Sequence, residues 1–179
     1  EERDYDAEFP EGYRESHERG RRMLRGAASV RAAEGSGAMD LLYRAFGETI
    51  WHRVAEPGTD FRSGVATVEH LTEVLALAGF DSGHAEAASD PSFDEVLRAE
   101  TEVAVGRTGR DVGTPIITFG PPDGPSIFGP VISSVPDTDE ACLELYEATL
   151  TLCRFSTFSE LKRSNRPMLD LPLLTGRAD

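Results

Sequence analysis

Few side chains in this sequence could do redox or metal chemistry. Cys142 and Cys153 are its two cysteines, and its four histidines are His17, His52, His70 and His84. A cycling dithiol or a structural zinc needs thiols a turn apart, or ligands gathered on one face. The cysteines have neither a CxxC spacing nor a metal pattern. They fall eleven residues apart on one face of a predicted helix, roughly 16 Å along its axis at about 1.5 Å per residue. Disulfide Cα atoms are usually under about 7 Å apart. One reading makes them resolving thiols; the reading favoured by the stripe they share is two small core hydrophobes. His17, His70 and His84 are scattered among acids without ligand spacing, so no metal site is expected.

The backbone offers a better candidate. In "GRDVGTPIITF", residues 109–119, a charged loop runs through Gly113, Thr114 and Pro115 into a β-branched run. Pro115 has no N–H to give a sheet. It marks either a plain strand entry or a backbone shaped for a site. Asp111 lies just before it; a carboxylate there would raise a neighbouring thiol's pKa rather than lower it, and its plainer role is solvating the loop or capping the preceding helix. Tyr13, in "FPEGYRE", either faces a cleft or packs at a helix start. Trp51-His52 could flank a cleft between a helical block and a sheet, with helical packing beside a wet imidazole as the plainer reading.

These residues need elements to hold them. Helices are predicted over 10–34, over 38–53 with Leu42, Ala45, Phe46 and Ile50 on one side, and over 65–78 with Val68, Leu71, Val74, Leu75 and Ala78 on one side. A fourth runs from Asp90 as N-cap, with Pro91 first, to about residue 108, carrying Phe93, Val96, Leu97 and Ala104 roughly along one side. Then "PIITF" and "SIFGPVIS" read as strands around the turn cluster "GPPDGP", an antiparallel hairpin with a long loop. A long helix follows over 136–155, with Cys142, Leu145, Tyr146, Thr149 and Cys153 as its stripe; "STFSELKR" adds a last helical turn or two, and 166–179 is a tail. "PIITF" is apolar on both faces, which suits an interior strand, and two strands make a poor sheet alone. Its missing neighbours are expected from a segment upstream of Glu1 or from another copy of the chain, as in a homodimer.

Composition narrows the partners. The chain has 179 residues, enough for one real core or a small core with a helical subdomain, and a net charge of −14. Such acidity argues against nucleic acid and against anionic membranes. No apolar run could span a bilayer and no signal peptide is visible, so a cytoplasmic location is expected.

In this order, "FPEGYRE", "DVGTP", "FGPVIS" and "FSELKR" resemble the DsbA-like thioredoxin-fold family, specifically its actinobacterial mycothiol-dependent nitroreductase branch. The resemblance implies an α/β thioredoxin-like fold with a DsbA-type helical insertion, mostly helical over these residues: a helical insertion at 1–108, the C-terminal half of the thioredoxin-like domain (strand, strand, helix) at 109–165, and the tail. It implies a thiol–disulfide oxidoreductase, or a reductase using mycothiol or glutathione as cosubstrate, with no bound cofactor. Partners would be a small thiol or electrophile, with protein thiols as a further class. Gly113, Thr114, Pro115, Tyr13 and Trp51 would bind substrate, with a cis bond before Pro115 turning the Thr114 backbone outward. The family's strand–CxxC–strand opening is absent. The nucleophilic cysteine is therefore expected upstream of Glu1, and these residues alone are expected to be inactive. Two alternatives stay open: an enzyme of the glutathione-transferase-kappa or chromene-carboxylate-isomerase type, using serine, and a non-catalytic thioredoxin-like binding protein.

Overall fold

A computed structural model describes residues 12–54 and 64–176. They divide into two units, one within Glu1–Arg98 and Leu171–Asp179, the other Ala99–Asp170.

The first unit is helical. Tyr13–Glu34 forms α1, Ala38–Ile50 forms α2 and Val68–Ala78 forms α3; the start of the first predicted helix, residues 10 and 11, lies outside the described residues. The first half of α1 is charged, while Gly26, Ala28 and Val30 in its second half are buried. α3 begins where the Thr67 hydroxyl accepts the His70 N–H, and ends at Gly79, whose φ of 81° a side chain rarely adopts. Leu71, Val74 and Leu75 lie on its buried face as the periodicity predicts, but Val68, in its first turn, is 49% exposed.

A 3-10 stretch, Ser82–Ser89, completes this core. Asp81 starts it by accepting the Gly83 N–H. At three residues per turn, positions three apart eclipse, so Ala85 and Ala88 share one face and join Val30, Leu42, Leu71 and Val74 in the core. The small residues permit close approach: a Cβ built on Gly26 would stand 3.4 Å from a Leu71 methyl. Burial of a leucine such as Leu71 stabilises by about 1.5–3 kcal/mol.

Asp90 is a cap, as its sequence suggests, but of a single 3-10 turn, Pro91–Phe93, that leads into α4, Asp94–Thr108. No residue of α4 is buried, and Val96, expected on its apolar side, is 38% exposed. A charge pair fixes its start. Arg25 of α1 donates from Nε and Nη2 to the two Asp94 carboxylate oxygens at 2.6 and 2.7 Å, and from Nη1 to the Ala88 carbonyl at 3.1 Å. The paired guanidinium holds the Asp94 carboxyl below its usual range and raises the arginine in turn. The chain returns to this unit at its end: Pro172 is buried, Leu173 donates its N–H to the Trp51 carbonyl at 3.1 Å, and Pro172–Thr175 makes one helical turn, α6.

In the second unit, β1 (Ile116–Thr118) and β2 (Ser126–Phe128) pair antiparallel with Ile117 opposite Ile127. They are shorter than the apolar runs suggest. Gly129, at φ 101°, and Pro130, which has no N–H, stop β2. Among the described residues β1 pairs with β2 alone, so the two-sided neighbourhood expected for an interior strand is absent there. α5, Asp139–Cys153, starts at Thr138, whose hydroxyl accepts the Ala141 N–H, with Asp139 and Glu140 in the first turn suiting the helix dipole. The further helical turns expected in "STFSELKR" do not form. The segment makes only a turn, with Phe158 N–H donating to the Phe155 carbonyl, and Leu161 is 78% exposed; with no apolar face to bury, so short a serine-rich stretch does not repay helix nucleation.

The hairpin turn depends on one glycine. Gly124 donates its N–H to the Gly120 carbonyl and a Cβ there would lie 1.7 Å from the Phe119 carbonyl oxygen, which no side chain can do. Gly124→Ala is expected to lower stability by clearly more than the roughly 0.4–1 kcal/mol that a strain-free Gly→Ala replacement gains, with loss of amide protection at Phe119, whose N–H donates to the Pro125 carbonyl; urea titration and hydrogen exchange measure both. In the first unit, Arg25→Ala and Asp94→Asn should each lower the urea midpoint, and the double variant should lose less than their sum. Because the Asp94 pKa is depressed on folding, its contribution is present above the ordinary aspartate range and disappears as pH falls through the folded value; the Asp94→Asn variant should lack that part of the acid transition.

Candidate functional site

The hairpin positions the loop Gly113-Thr114-Pro115. The Pro115 carbonyl accepts the Gly129 N–H at 2.8 Å, one step beyond the last ladder pair, and Phe128 lies 3.6 Å from where a Gly113 Cβ would be. Gly113, Thr114 and Pro115 are exposed. Neither Gly113 nor Thr114 uses its backbone N–H or C=O in a hydrogen bond among the described residues. The loop is thus a stretch of open backbone on a paired hairpin. Such groups suit recognition of an extended chain or of a peptide-like thiol by main-chain hydrogen bonds. The peptide bonds preceding Pro115, Pro122 and Pro130 are cis.

Behind the loop, Arg107 donates to the Thr118 hydroxyl at 2.7 Å, and Thr118 and Ser126 hydroxyls pair across the strands at 2.9 Å. Arg110 pairs with Glu102 at 2.5 Å. At the turn end of the hairpin a cleft of about 530 Å³ opens against α5, lined by Ile117, Phe119, Pro125, Tyr146, Leu150 and Arg154 among others. The Phe119 and Tyr146 rings meet edge to face at 5.8 Å. Sequence reading placed Tyr146 on a helix stripe and did not find this cleft; nothing in the spacing of Phe119 and Tyr146 signals their contact.

The other residues expected at the site belong to the first unit. Tyr13 opens α1, half-buried, with its ring 4.3 Å from that of His17. Trp51 caps the end of α2, 45% exposed, with its carbonyl occupied by Leu173 N–H. His52, just past the end of α2, stands 3.3 Å from Glu48 in the last turn of that helix. Gly113, Thr114 and Pro115 are therefore the residues brought together within one unit. His70, set aside above for want of ligand spacing, is a buried side chain with both ring nitrogens engaged.

The cysteines are free thiols. Cys153 is buried, and burial pushes its thiol pKa up, which suppresses the thiolate. Cys142 is half-buried, with Sγ 3.7 Å from the Pro136 carbonyl oxygen as an S–H donor. Neither has the electropositive, exposed setting of an activated nucleophile. No group of three or more His, Cys, Asp or Glu side chains able to hold a metal ion occurs among the described residues, and none of their helices is long and apolar enough to cross a membrane.

One family model, described as Rv2466c-like, mycothiol-dependent nitroreductase Rv2466c, matches residues 3–163, about nine-tenths of the sequence.

Alkylation of the native protein is expected to label Cys142 well before Cys153, with Cys153 reacting only when denaturant opens the fold. Peptide mapping after timed iodoacetamide treatment checks the order; equal native rates would show that Cys153 is not sheltered.

Proposed function

The chain belongs to the Rv2466c-like family of mycothiol-dependent nitroreductases, and on that premise we propose that it is a thiol-dependent oxidoreductase that uses mycothiol to reduce a small electrophile such as a nitro compound. The family match carries the reaction class. The open backbone at Gly113 and Thr114 supports the position of the thiol: an extended, amide-containing thiol lies along the loop and exchanges main-chain hydrogen bonds with it, while Pro115, lacking an N–H, leaves the sulfur without a competing donor. The fold in this reading is thioredoxin-like with a DsbA-type insertion. The helical first unit is the insertion, and the hairpin with α5 is the C-terminal half of the thioredoxin-like domain.

The electron balance is that of two thiols per two-electron step. Two R–SH give up two electrons and two protons and close one S–S bond; a nitro group accepts them, loses one oxygen as water and becomes a nitroso group. The nucleophile is a thiolate, which attacks far better than the thiol. Cys142 and Cys153 are not assigned that role. The reacting sulfur is one that the loop receives, either the cosubstrate's or that of a cysteine elsewhere in the intact polypeptide.

In the intact protein, supplied with mycothiol and a nitroaromatic compound, mycothiol should be converted to its disulfide in step with nitro reduction. Cys142→Ala and Cys153→Ala should keep the rate within about twofold, and Thr114→Ala should be equally mild because the backbone groups survive. Absence of turnover with any low-molecular-weight thiol would overturn the reading. Loss of activity in Cys142→Ala or Cys153→Ala alone, in a folded variant, would move the nucleophile to that cysteine.

A further inference from the structure

The core of the first unit contains one polar knot that the proposed activity does not use. His70 on α3 is only 7% exposed and Thr49 on α2 only 6%. The Thr49 hydroxyl donates to the Ala45 carbonyl at 3.0 Å, so its oxygen accepts from His70 Nε2–H at 2.9 Å. That leaves Nδ1 without a proton, and Nδ1 accepts the Ala66 N–H at 3.1 Å. The network thus selects one neutral tautomer. Ala66 is itself unusual. It is buried at 2% exposure, and at φ 63° it is the single non-glycine residue in the left-handed region among the described residues. An L-residue enters that region at a cost, so the turn needs something to hold it.

We propose that His70 is a proton-operated latch on the turn Gly64–Thr67: the neutral imidazole holds the turn closed, and a proton on Nδ1 releases it. Protonation converts the acceptor facing Ala66 into a donor, and two N–H groups then point at each other. With its partner gone, Ala66 relaxes out of the left-handed region. The Thr67 side of the turn keeps its own tie, since the Thr67 hydroxyl accepts the His70 backbone N–H at 3.1 Å whatever the ring's charge. The latch therefore acts on the turn ahead of α3 and spares the helix.

The surroundings set where it operates. α2 presents the uncharged Thr49 and the Phe46 ring, 6.3 Å from the imidazole. Among the described residues, the charged groups that act on the ring are Glu73, one turn on along α3, which favours the proton, and Arg53, beyond the end of α2, which opposes it. These two pair with each other, and Arg53 holds the Glu73 carboxyl below its usual range, so the pair stays ionised in mild acid. Burial is the larger influence and lowers the His70 pKa. The closed turn therefore disfavours the proton, and the open turn, with Nδ1 freed and hydrated, binds it more readily. Linkage then makes acid pull the turn open: the opening constant should rise as pH falls through and below the ordinary histidine range.

Nitrogen-15 NMR of the labelled full chain tests this. At pH 8 the His70 ring should show an unprotonated Nδ1 and a protonated Nε2. On acidification the Ala66 amide should lose protection progressively while Val74 and Leu75, fully buried on α3, keep theirs. In His70→Gln, whose side-chain carbonyl accepts the Ala66 N–H without titrating, the Ala66 opening constant should be flat over the same range. The opposite tautomer at pH 8 overturns the latch, and that reading needs no variant. So does Ala66 protection that falls only together with Val74 and Leu75, or a pH response that persists unchanged in His70→Gln.

Discussion

The two-pronged contact between Arg25 and Asp94 is the interaction on which the helical unit's closure depends. It joins residues 69 positions apart, and its third donor reaches the Ala88 carbonyl at the end of the 3-10 stretch. One guanidinium therefore ties α1, the alanine-rich stretch and the start of α4. A planar fork with fixed donors can do this where a lysine ammonium cannot. The carboxylate sits at the first residue of α4, where the helix dipole favours negative charge, so the same group serves the pair and the helix. Both side chains are mostly covered, 13% and 20% exposed, which spares the pair much of the screening that weakens surface ion pairs.

Inside that closure the core is built from small parts. Gly26, Ala28, Ala85 and Ala88 let backbones approach, and Val30, Leu71, Val74 and Leu75 are the largest fully buried side chains among the described residues. Small residues bury little area each, so the core depends on close fit more than on bulk. The His70–Thr49 pair is a polar island within it, tolerable because every donor and acceptor of the neutral form is matched. No buried side-chain nitrogen or oxygen among the described residues lacks a partner. A fully matched network leaves little room for an added proton, which is how a structural histidine becomes a sensitive one.

The second unit works by a different economy. Its candidate chemistry lies in backbone groups left open on a short hairpin, and its side chains are support: Phe128 under Gly113, Thr118 and Ser126 across the strands, Arg107 behind them. Main-chain recognition is indifferent to the partner's side chains, which is what the proposed seating of a peptide-like thiol on this loop calls for. Of the two cysteines on α5, Cys153 is the helix's single buried residue and Cys142 is half-buried.

What the sequence determined by itself was local. Periodicity located α2, α3 and α5; Asp90 announced a cap by its chemistry, while the caps at Thr67 and Thr138 emerged only in the structure; and Gly-Thr-Pro before a β-branched run marked the loop that the hairpin presents. The spacing of Cys142 and Cys153 ruled out a disulfide between them. All these signals act over a few residues, through backbone propensity and capping. Tertiary structure decided the rest. The 3-10 stretch was invisible because alanines three apart mean little until a core lies beneath them. The Arg25–Asp94 and His70–Thr49 pairs link residues 69 and 21 positions apart, and nothing local encodes such a meeting. "STFSELKR" has a helix-forming composition at its end yet stays irregular, because no partner surface covers Leu161. Propensity is worth tenths of a kcal/mol per residue, whereas burying a large apolar side chain is worth roughly 1.5–3 kcal/mol; packing therefore overrides local preference wherever the two compete.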